Sequence, residues 1–407
     1  MSEAKNFAAR LPEYPVGPSR EELAEKHIRI CRYLDQNQLD GLLLCTTTNI
    51  AWYTGGGEVH ISGASPTGAC VLLVMREKVA ILSDAIEAPK LENEALQSYL
   101  NISPVPARIM IRRWYEGLWA QIEGLAKGLT LGSDDPATPG LSDSGSSGPE
   151  GIRYQLCGRD FISLRWTLTP REIERYRGIG KRTAVAIEAA ARKVRPGQTE
   201  FEVSAQLHQE IVKFGLMPTL SLIAADERIA SYRHPVPTAK TVKNTCMLVT
   251  CVRGGGLVCS ATRIVNFGAL PPELRIKHDA VVQVDASLLA GCYPGAAMAQ
   301  LFGIAKEAYL RLGFRGEEEK HHQGGATGYL AREYKCEPQT ANILHLHQAV
   351  AWNPSIAGTK SEDTYLVSAN SSGEESLECL SHGDGSWPLL RAEKDGKVFY
   401  RPDILVL

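Results

Sequence analysis

Residues His321–Tyr334 read HHQGGATGYLAREY, the most distinctive combination of side chains in the sequence. Two adjacent histidines are followed by Gly324, Gly325 and Gly328. Glycines this closely spaced indicate backbone that turns sharply or lets a ligand or another chain approach closely. Histidine is the side chain best suited to move protons near neutral pH. The stretch therefore predicts either a site-lining segment or a glycine-rich surface loop, and it does not decide between them.

Two other stretches favour a functional site. Residues 231–244 read SYRHPVPTAKTVKN, and residues 352–367 read WNPSIAGTKSEDTYLV. They add a histidine, His234, and a carboxylate, Glu362, to the two histidines of the first stretch.

The composition is that of an ordinary globular protein. A chain of 407 residues is too long for one core and predicts two domains. Hydrophobic residues make up 44% and charged residues 22%, and the net charge is −2 without a basic block, so nucleic acid is not an expected partner. No run approaches the ~18 apolar residues of a membrane span, so no membrane partner is expected either. The N-terminal residues lack the apolar core of a signal peptide, and we predict a cytoplasmic protein.

The ten cysteines are scattered along the chain without a C-x-x-C pair. Cys246, Cys251 and Cys259 lie near one another in sequence but lack the spacing of a zinc site. In a cytosolic chain, free thiols are the expected state. No cysteine is assigned a nucleophilic role.

The first part of the chain alternates helix-like and strand-like segments. An amphipathic pattern predicts a helix over Arg20–Gln38. Apolar runs predict strands over Leu42–Cys45, Gly68–Met75 and Lys78–Leu82, and a further helix is predicted over Trp114–Lys127. This alternation predicts a three-layer α/β domain.

Residues 134–151 read DDPATPGLSDSGSSGPEG and predict a loop or linker, because proline, glycine and serine bury too little surface to hold a fold. Residues 162–165 then have a strand-like pattern. The predicted domains are therefore residues 1–160, which include the linker-like loop, and residues 161–407.

The second domain opens with two capping boxes, Thr169 with Glu172 and Thr199 with Glu202. They predict two helices, which end near residues 195 and 215 at proline or glycine. Residues 220–267 have a strand-like pattern, residues 294–312 predict another helix, and the last third again predicts strands with turns.

This order of elements, together with the motifs R-H-P-V, G-L-V-C-S-A-T-R, H-x-x-G-x-x-x-G-Y, W-N-P and E-D-T, resembles the creatinase and aminopeptidase P family. The resemblance covers nearly the whole chain, from about residue 20 to the end. It implies an N-terminal creatinase-like α/β domain followed by an α+β pita-bread catalytic domain.

Peptidases of that family hold two metal ions with two aspartates, one histidine and two glutamates. By motif position, the resemblance places these ligands at Val249, Ser260, Gly325, Asn353 and Glu362. Hard divalent cations need several oxygen or nitrogen ligands in a fixed shell, and four of the five side chains here have changed. The resemblance therefore implies a member without the two-metal site, and no metal or other cofactor is expected.

Creatinase has the same fold, lacks the metals and cleaves a C–N bond with a histidine. His234 matches the motif position of that histidine and is predicted to be a general acid/base, with His321 as a second site histidine. Glu362 matches a creatinase glutamate that holds the cationic group of the substrate. A second such glutamate is replaced here by Thr262, so creatine itself is not the expected substrate.

The resemblance thus predicts a metal-independent hydrolase or lyase that cleaves a C–N or related bond in a small polar nitrogen compound. His234, His321 and Glu362 are the predicted catalytic residues. The remaining candidates are predicted to bind the substrate: His322, Tyr329, Arg332, Glu333, Trp352, Asn353 and Arg263. The resemblance also implies a homodimer in which a loop containing Asn49, Trp52, Tyr53 and His60 reaches the partner's site.

Other interpretations stay open. The chain could be a non-catalytic pseudo-peptidase that binds a ligand, or a metallopeptidase with a displaced metal site that uses His321, His322 and Glu333. Individual candidates also have structural alternatives. His234 could be a partly buried imidazole bonded to backbone, and Glu362 could pair with Lys360 or with Arg263. Trp352 could belong to the core, and Arg332–Glu333 could be a surface pair.

Overall fold

The computed structural model of the protein describes residues 16–138, 151–369, 373 and 375–407. These residues form two compact units, one up to Arg175 and one from Tyr176 onward. The division lies within the helix Pro170–Lys193, whereas the sequence predicts a boundary after residue 160. Most of the predicted linker, residues 139–150, lies outside the described residues.

The first unit is built on a mixed sheet with helices around it, as the alternation of elements predicts. Its strands, in spatial order, are Ala107–Arg112, Val79–Asp84, Thr67–Val74, Gly41–Thr46, Thr130–Ser133 and Arg153–Leu156. The central pair, Gly41–Thr46 and Thr67–Val74, runs antiparallel, and the outermost strand on each side pairs parallel with its neighbour.

Helices of the first unit are Arg20–Gln36, Thr47–Tyr53, Ala88–Lys90, which continues as the π-helical turn Leu91–Ala95, Gln97–Ile102, Leu118–Ala126 and Arg159–Ser163. The predicted helix from Arg20 is confirmed, and Ser19 caps it by accepting a hydrogen bond from the Glu22 backbone. Its predicted apolar stripe is buried. The predicted strand at residues 162–165 is wrong, because this segment forms the end of a short helix and the turn after it.

The second unit contains two larger antiparallel sheets. One has the strands Leu405–Val406, Leu257–Asn266, Thr245–Gly254 and Met217–Ala225, of which only the first pairs parallel with its neighbour. The other has the strands Tyr334–Lys335, Gly324–Thr327, Ala349–Trp352, Asp363–Ala369 and Glu375–Cys379. Two hairpins complete the strands: Ser355–Ile356 with Thr359–Lys360, and Leu389–Lys394 with Lys397–Pro402.

The helix Pro170–Lys193 belongs to the second unit from Tyr176 onward. The other helices of the second unit are Glu200–Val212, Glu227–Ser231, Pro272–Ala290 and Met298–Arg311, with a 3₁₀ turn at Glu317–Glu319. Both predicted capping boxes are present. In the second box, the Thr199 backbone donates to Glu202 at 2.7 Å and the Glu202 backbone donates back to the Thr199 hydroxyl at 3.2 Å. No helix among the described residues has the length and apolar character needed to cross a membrane.

Gly324 and Gly325 hold positions in the sheet that other residues cannot take. Both have positive φ, +108° and +154°. A Cβ atom would lie 2.2 Å from the Ala351 carbonyl oxygen at Gly324 and 2.2 Å from the Tyr334 carbonyl oxygen at Gly325. The glycines therefore allow close contact between strands at the point where His321 and His322 enter the sheet.

Candidate functional site

Three imidazoles from two separate loops meet in the second unit. His234 lies just after the helix Glu227–Ser231, and His321 and His322 lie just before the strand Gly324–Thr327. The Nε2 atoms of His234 and His321 are 3.2 Å apart. One ring nitrogen from each of the three residues lies within 4.8 Å of the others. We call these three residues the histidine cluster.

The buried ring of His321 is held in place through Nδ1, the ring nitrogen that does not face His234. Its Nδ1 atom is 3.0 Å from the Ser355 hydroxyl oxygen, which also accepts a hydrogen bond from Arg233 at 3.1 Å. Arg233 in turn forms an ion pair with Glu317. This chain of contacts fixes the orientation of His321 and anchors the backbone next to His234.

The outer side of the cluster is less constrained. Much of the His234 side chain is exposed, and its Nε2 atom faces the His321 ring rather than a backbone group, so the alternative of a partly buried imidazole bonded to backbone is not supported. The His322 ring lies against that of His321, with centroids 4.6 Å apart. Its Nδ1 atom is buried and has no hydrogen-bond partner among the described residues. A buried polar atom without a partner costs about 1–3 kcal/mol, so it marks a place where a further group would bind.

Burial lowers the pKa of all three imidazoles, and nearby cations lower it further. Burial and Lys360 lower the pKa of His321 to about 2. Burial and Arg332 lower the pKa of His322 to about 4. The pKa of His234 is lowered by burial and by Lys360, although Glu362 acts in the opposite direction. The cluster is therefore unprotonated at neutral pH, the form in which imidazole accepts a proton or binds a metal.

Glu362, which is close enough to act on the pKa of His234 and His322, belongs to a network of buried ion pairs. Its carboxylate is 2.7 Å from the Lys360 ammonium and accepts a hydrogen bond from Thr262 at 2.7 Å. Arg332 lies 3.4 Å from its other oxygen. Burial alone would raise the pKa of Glu362, but Lys360 and Arg332 outweigh it, and the pKa is lowered. The predicted pairing with Lys360 is thus present, and an internal cation holds the place of a substrate cation.

Arg263 does not contribute to the histidine cluster, contrary to the prediction that it binds substrate there. It lies on the strand Leu257–Asn266, where its neighbour Thr262 points to Glu362 and Arg263 points to the opposite face. There it pairs with Glu188 and Asp363, both at 3.1 Å. It lines a separate cavity of about 350 Å³.

Three further candidates have structural contacts. Trp352 is fully buried and donates its indole N–H to the Cys292 sulfur at 3.2 Å, so it belongs to the core. Glu333 accepts backbone hydrogen bonds from Tyr329 and Leu330, so it stabilises the turn between two strands. Tyr329 is buried as well. These contacts do not support substrate binding by Trp352, Glu333 or Tyr329.

The N-terminal residues predicted to reach a partner lie inside their own unit. Asn49, Trp52 and Tyr53 are buried in the helix Thr47–Tyr53. The Asn49 amide donates to Asp134 at 2.7 Å. They are therefore unavailable to a second subunit, and His60 alone of the four is partly exposed. The homodimer itself stays a prediction.

A pair of divalent metal ions does not fit the side chains at the predicted ligand positions. Val249 belongs to an apolar cluster, and Gly325 has no side chain and no room for one. Ser260 and Asn353 offer a hydroxyl and an amide, and Glu362 is already neutralised by two cations. A two-metal site needs several charged ligands in a fixed geometry, and this set does not provide them.

Sequence reasoning missed the residues that organise the cluster. Arg233, Ser355 and Glu317 come from three separate segments, and no local pattern connects them. One signal was available, since Arg233 directly precedes His234 and Ser355 follows the N-P pair of the third stretch. Asn353, from that same pair, has a buried amide oxygen without a hydrogen-bond partner among the described residues.

The chain is similar in sequence to known peptidases. Residues 174–369 match the model of metallopeptidase family M24. A curated relative, an Xaa-Pro dipeptidase of Pyrococcus horikoshii, is 22% identical over 359 residues, which cover 86% of this chain and 95% of the relative.

Solved structures agree in fold. An Xaa-Pro dipeptidase from Bacillus anthracis has a TM-score of 0.71 at 17% identity, covering 95% of this chain and 100% of the other. The prolidase from Pyrococcus horikoshii has a TM-score of 0.71 at 17% identity, covering 89% of this chain and 99% of the other. The predicted N-terminal α/β domain with a C-terminal pita-bread domain is therefore confirmed.

The predicted metal-independent hydrolase or lyase is wrong. The matching family is one of metallopeptidases, and the similar proteins carry the names Xaa-Pro dipeptidase and prolidase. These names point to a metal-dependent peptidase, and they support neither a lyase nor a pseudo-peptidase. The prediction gave more weight to the loss of the implied ligand set than to the alternative of a displaced metal site with His321 and His322, and these two imidazoles do meet that of His234.

Proposed function

From the premise that the chain belongs to the creatinase and aminopeptidase P-like pita-bread family, we propose that it is a metal-dependent hydrolase of a small dipeptide-like substrate. The reaction adds water to the carbonyl carbon of an amide, breaks the C–N bond and transfers a proton to the leaving nitrogen. Xaa-Pro dipeptides are the first substrates to test, because the similar proteins carry that activity in their names.

The observation that carries this proposal is the histidine cluster. Two unprotonated imidazoles whose nitrogens lie 3.2 Å apart are unusual outside functional sites, because the packing of a protein core rarely requires such a pair. The cluster combines a rigid, buried member, His321, with an exposed one, His234. A substrate can therefore reach His234 while His321 stays fixed, and both are proposed to lie nearest the reacting amide.

Glu362 is proposed to position the site rather than to react. Its carboxylate is occupied by Lys360, Thr262 and Arg332, so it has little capacity left for a substrate cation. These contacts support a role for Glu362 in holding Lys360 and Arg332 in fixed positions near the cluster. A substrate that is a small peptide with a free carboxylate suits this surrounding, because Lys360 and Arg332 together outnumber Glu362 in charge.

The test is hydrolysis of a panel of dipeptides with and without proline, after incubation with Zn²⁺, Co²⁺ or Mn²⁺ in turn. We expect release of free amino acids by the wild type and a loss of about 100-fold or more in kcat/KM for His321→Ala. His345→Ala, a histidine outside the cluster, is the matched control and should retain activity. No hydrolysis of any dipeptide with any of the three metals would overturn the proposal.

A further inference from the structure

We infer that His234, His321 and His322 bind a single transition-metal ion through one ring nitrogen each. This site differs in position and in ligands from the two-ion site that the family resemblance implies. The inference rests on the proposed function, for which it supplies the metal.

The spacing of the rings suits a shared ion. Zinc–nitrogen bonds of about 2.0–2.1 Å at a tetrahedral angle put two bound nitrogens roughly 3.3–3.4 Å apart. The Nε2 atoms of His234 and His321 are 3.2 Å apart, and the third imidazole offers a nitrogen within 4.8 Å. The cluster therefore offers a set of three nitrogen ligands close enough together to share one ion.

A hydrogen bond between His234 and His321 would give the same distance, but it leaves part of the site unexplained. Such a bond uses one nitrogen from each of those two rings and none from His322. The buried Nδ1 atom of His322 then has no partner among the described residues. An ion at the centre of the cluster that takes the Nδ1 atom of His322 as its ligand gives this atom a partner, which is the state that buried polar groups normally reach.

The surroundings have the features of a metal site that is open on one side. A ligating histidine normally places its second nitrogen against a fixed polar group, which orients the ring. For His321 that group is the Ser355 hydroxyl, which Arg233 holds in place. Exposed His234 leaves one side of the cluster open to solvent, as in catalytic zinc sites with three protein ligands.

The chemistry of the ligands selects the metal. Three neutral imidazoles favour Zn²⁺, Co²⁺, Ni²⁺ or Cu²⁺, whereas Mg²⁺, Ca²⁺ and Mn²⁺ prefer oxygen. The Glu362 carboxylate is occupied by Lys360 and Arg332. It is therefore not available as a ligand for a second ion, and one ion per chain is expected.

The test measures metal content and a spectrum, independently of activity. Full-length protein is stripped with a chelator, loaded with Zn²⁺ or Co²⁺ and dialysed, and its metal is counted by elemental analysis. We expect about one ion per chain and, with Co²⁺, the visible absorption of a four- or five-coordinate nitrogen site. His234→Ala, at an exposed position that tolerates truncation, should weaken Co²⁺ binding by at least about 100-fold, and His322→Ala should do the same.

His345→Ala is the control and should bind Co²⁺ as the wild type does, with all variants checked for an unchanged far-UV spectrum. Binding of no metal, of two ions, or of one ion that survives His234→Ala and His322→Ala would overturn the inference. A protein that hydrolyses dipeptides but fails this test would keep the proposed function and lose the histidine site. A protein that binds one ion through the cluster but hydrolyses no dipeptide would keep the site and lose the function.

Discussion

Lys360 places its ammonium 2.7 Å from the Glu362 carboxylate, and the side chains are only 5% and 3% exposed. By motif position, Glu362 is the one family ligand that this chain retains, and an internal lysine is its ion-pair partner. The lysine satisfies the buried carboxylate without a metal, and the two charges depend on each other.

This dependence predicts the effect of Lys360→Met. The substitution keeps most of the side-chain volume but leaves Glu362 buried with Thr262 and the more distant Arg332 as partners. Removing one partner of a buried ion pair costs about 3–5 kcal/mol, so the free energy of unfolding should fall by that amount in urea titrations. Adding Glu362→Gln should recover part of the loss, because the unpaired charge is then removed.

Lys335→Met is the control for Lys360→Met, because Lys335 is exposed and surface substitutions usually change stability by less than about 0.5 kcal/mol. If Lys360→Met and the wild type had equal free energies of unfolding, the Lys360–Glu362 ion pair would make no net contribution to stability.

At the scale of elements, the strand Gly324–Thr327 is the feature that separates this chain from the implied two-metal arrangement. Gly325 stands at the predicted position of the histidine ligand, and its backbone lies too close to Tyr334 for any side chain. Restoring a histidine there would thus require the neighbouring strand to move. The loss of the histidine ligand therefore involves the spacing of the two strands as well as the identity of the side chain.

Gly325→Ala should accordingly destabilise the protein by at least about 2 kcal/mol, since a strained positive φ and a steric overlap each cost about 1–3 kcal/mol. Gly303→Ala is the matched control, because Gly303 lies in the helix Met298–Arg311 and a Cβ there meets nothing within 4 Å. It should leave stability unchanged or raise it by up to about 1 kcal/mol. Thermal unfolding of the two variants side by side gives the comparison, and equal effects would contradict the proposed strain.

Elements with local signals were predictable from the sequence, and the others were not. The helices that begin at Thr169 and Thr199 have capping boxes made within four residues, so their starts were predicted. The helix Pro272–Ala290 was missed because most of its second half is buried, which removes the amphipathic pattern, and because no side chain caps it. The strand predicted at residues 162–165 overlaps the end of the short helix Arg159–Ser163, because four residues are too few for their pattern to distinguish a strand from a helix.

The same distinction holds in the site. His234, His321 and His322 could be selected from sequence by motif and residue type. Their arrangement around a common centre depends on Ser355 and Arg233, which are more than a hundred residues apart. Arg263 was predicted to bind substrate at the cluster, but successive side chains of a strand point to opposite faces of the sheet. Thr262 therefore contacts Glu362, and Arg263 contacts Glu188 on the other face.

At the scale of the whole molecule, buried ion pairs occur in both units. In the second unit they include Glu362 with Lys360 at the candidate site and Arg263 with Glu188 and Asp363 apart from it. In the first unit they tie the helix Arg20–Gln36 to residues far along the chain. Lys26 lies 2.6 Å from Glu22 and 2.8 Å from Glu172, and Arg175 lies 2.9 Å from Glu22. All four side chains are almost completely buried.

This buried network predicts that the first unit is sensitive to acid. Burial alone would raise the pKa of Glu22, but Lys26 and Arg175 outweigh it and lower the pKa from 4.5 to about 2. A carboxyl with a lower pKa in the folded state stabilises the fold above its unfolded pKa and loses that contribution as pH falls. The contribution, roughly 3 kcal/mol, should therefore be complete above about pH 4.5 and disappear toward pH 2.

Hydrogen exchange of the helix Arg20–Gln36, followed by mass spectrometry from neutral pH to below pH 3, measures this loss where it occurs. Protection should fall across the window between the two pKa values in the wild type. Glu22→Gln should lower protection already at neutral pH, because it leaves Lys26 and Arg175 with one fewer negative partner, and should flatten the acid dependence. Glu92→Gln, at an exposed carboxylate of the same unit, should follow the wild type at every pH. If Glu22→Gln kept the full acid dependence of the wild type, some other carboxylate would have to carry it.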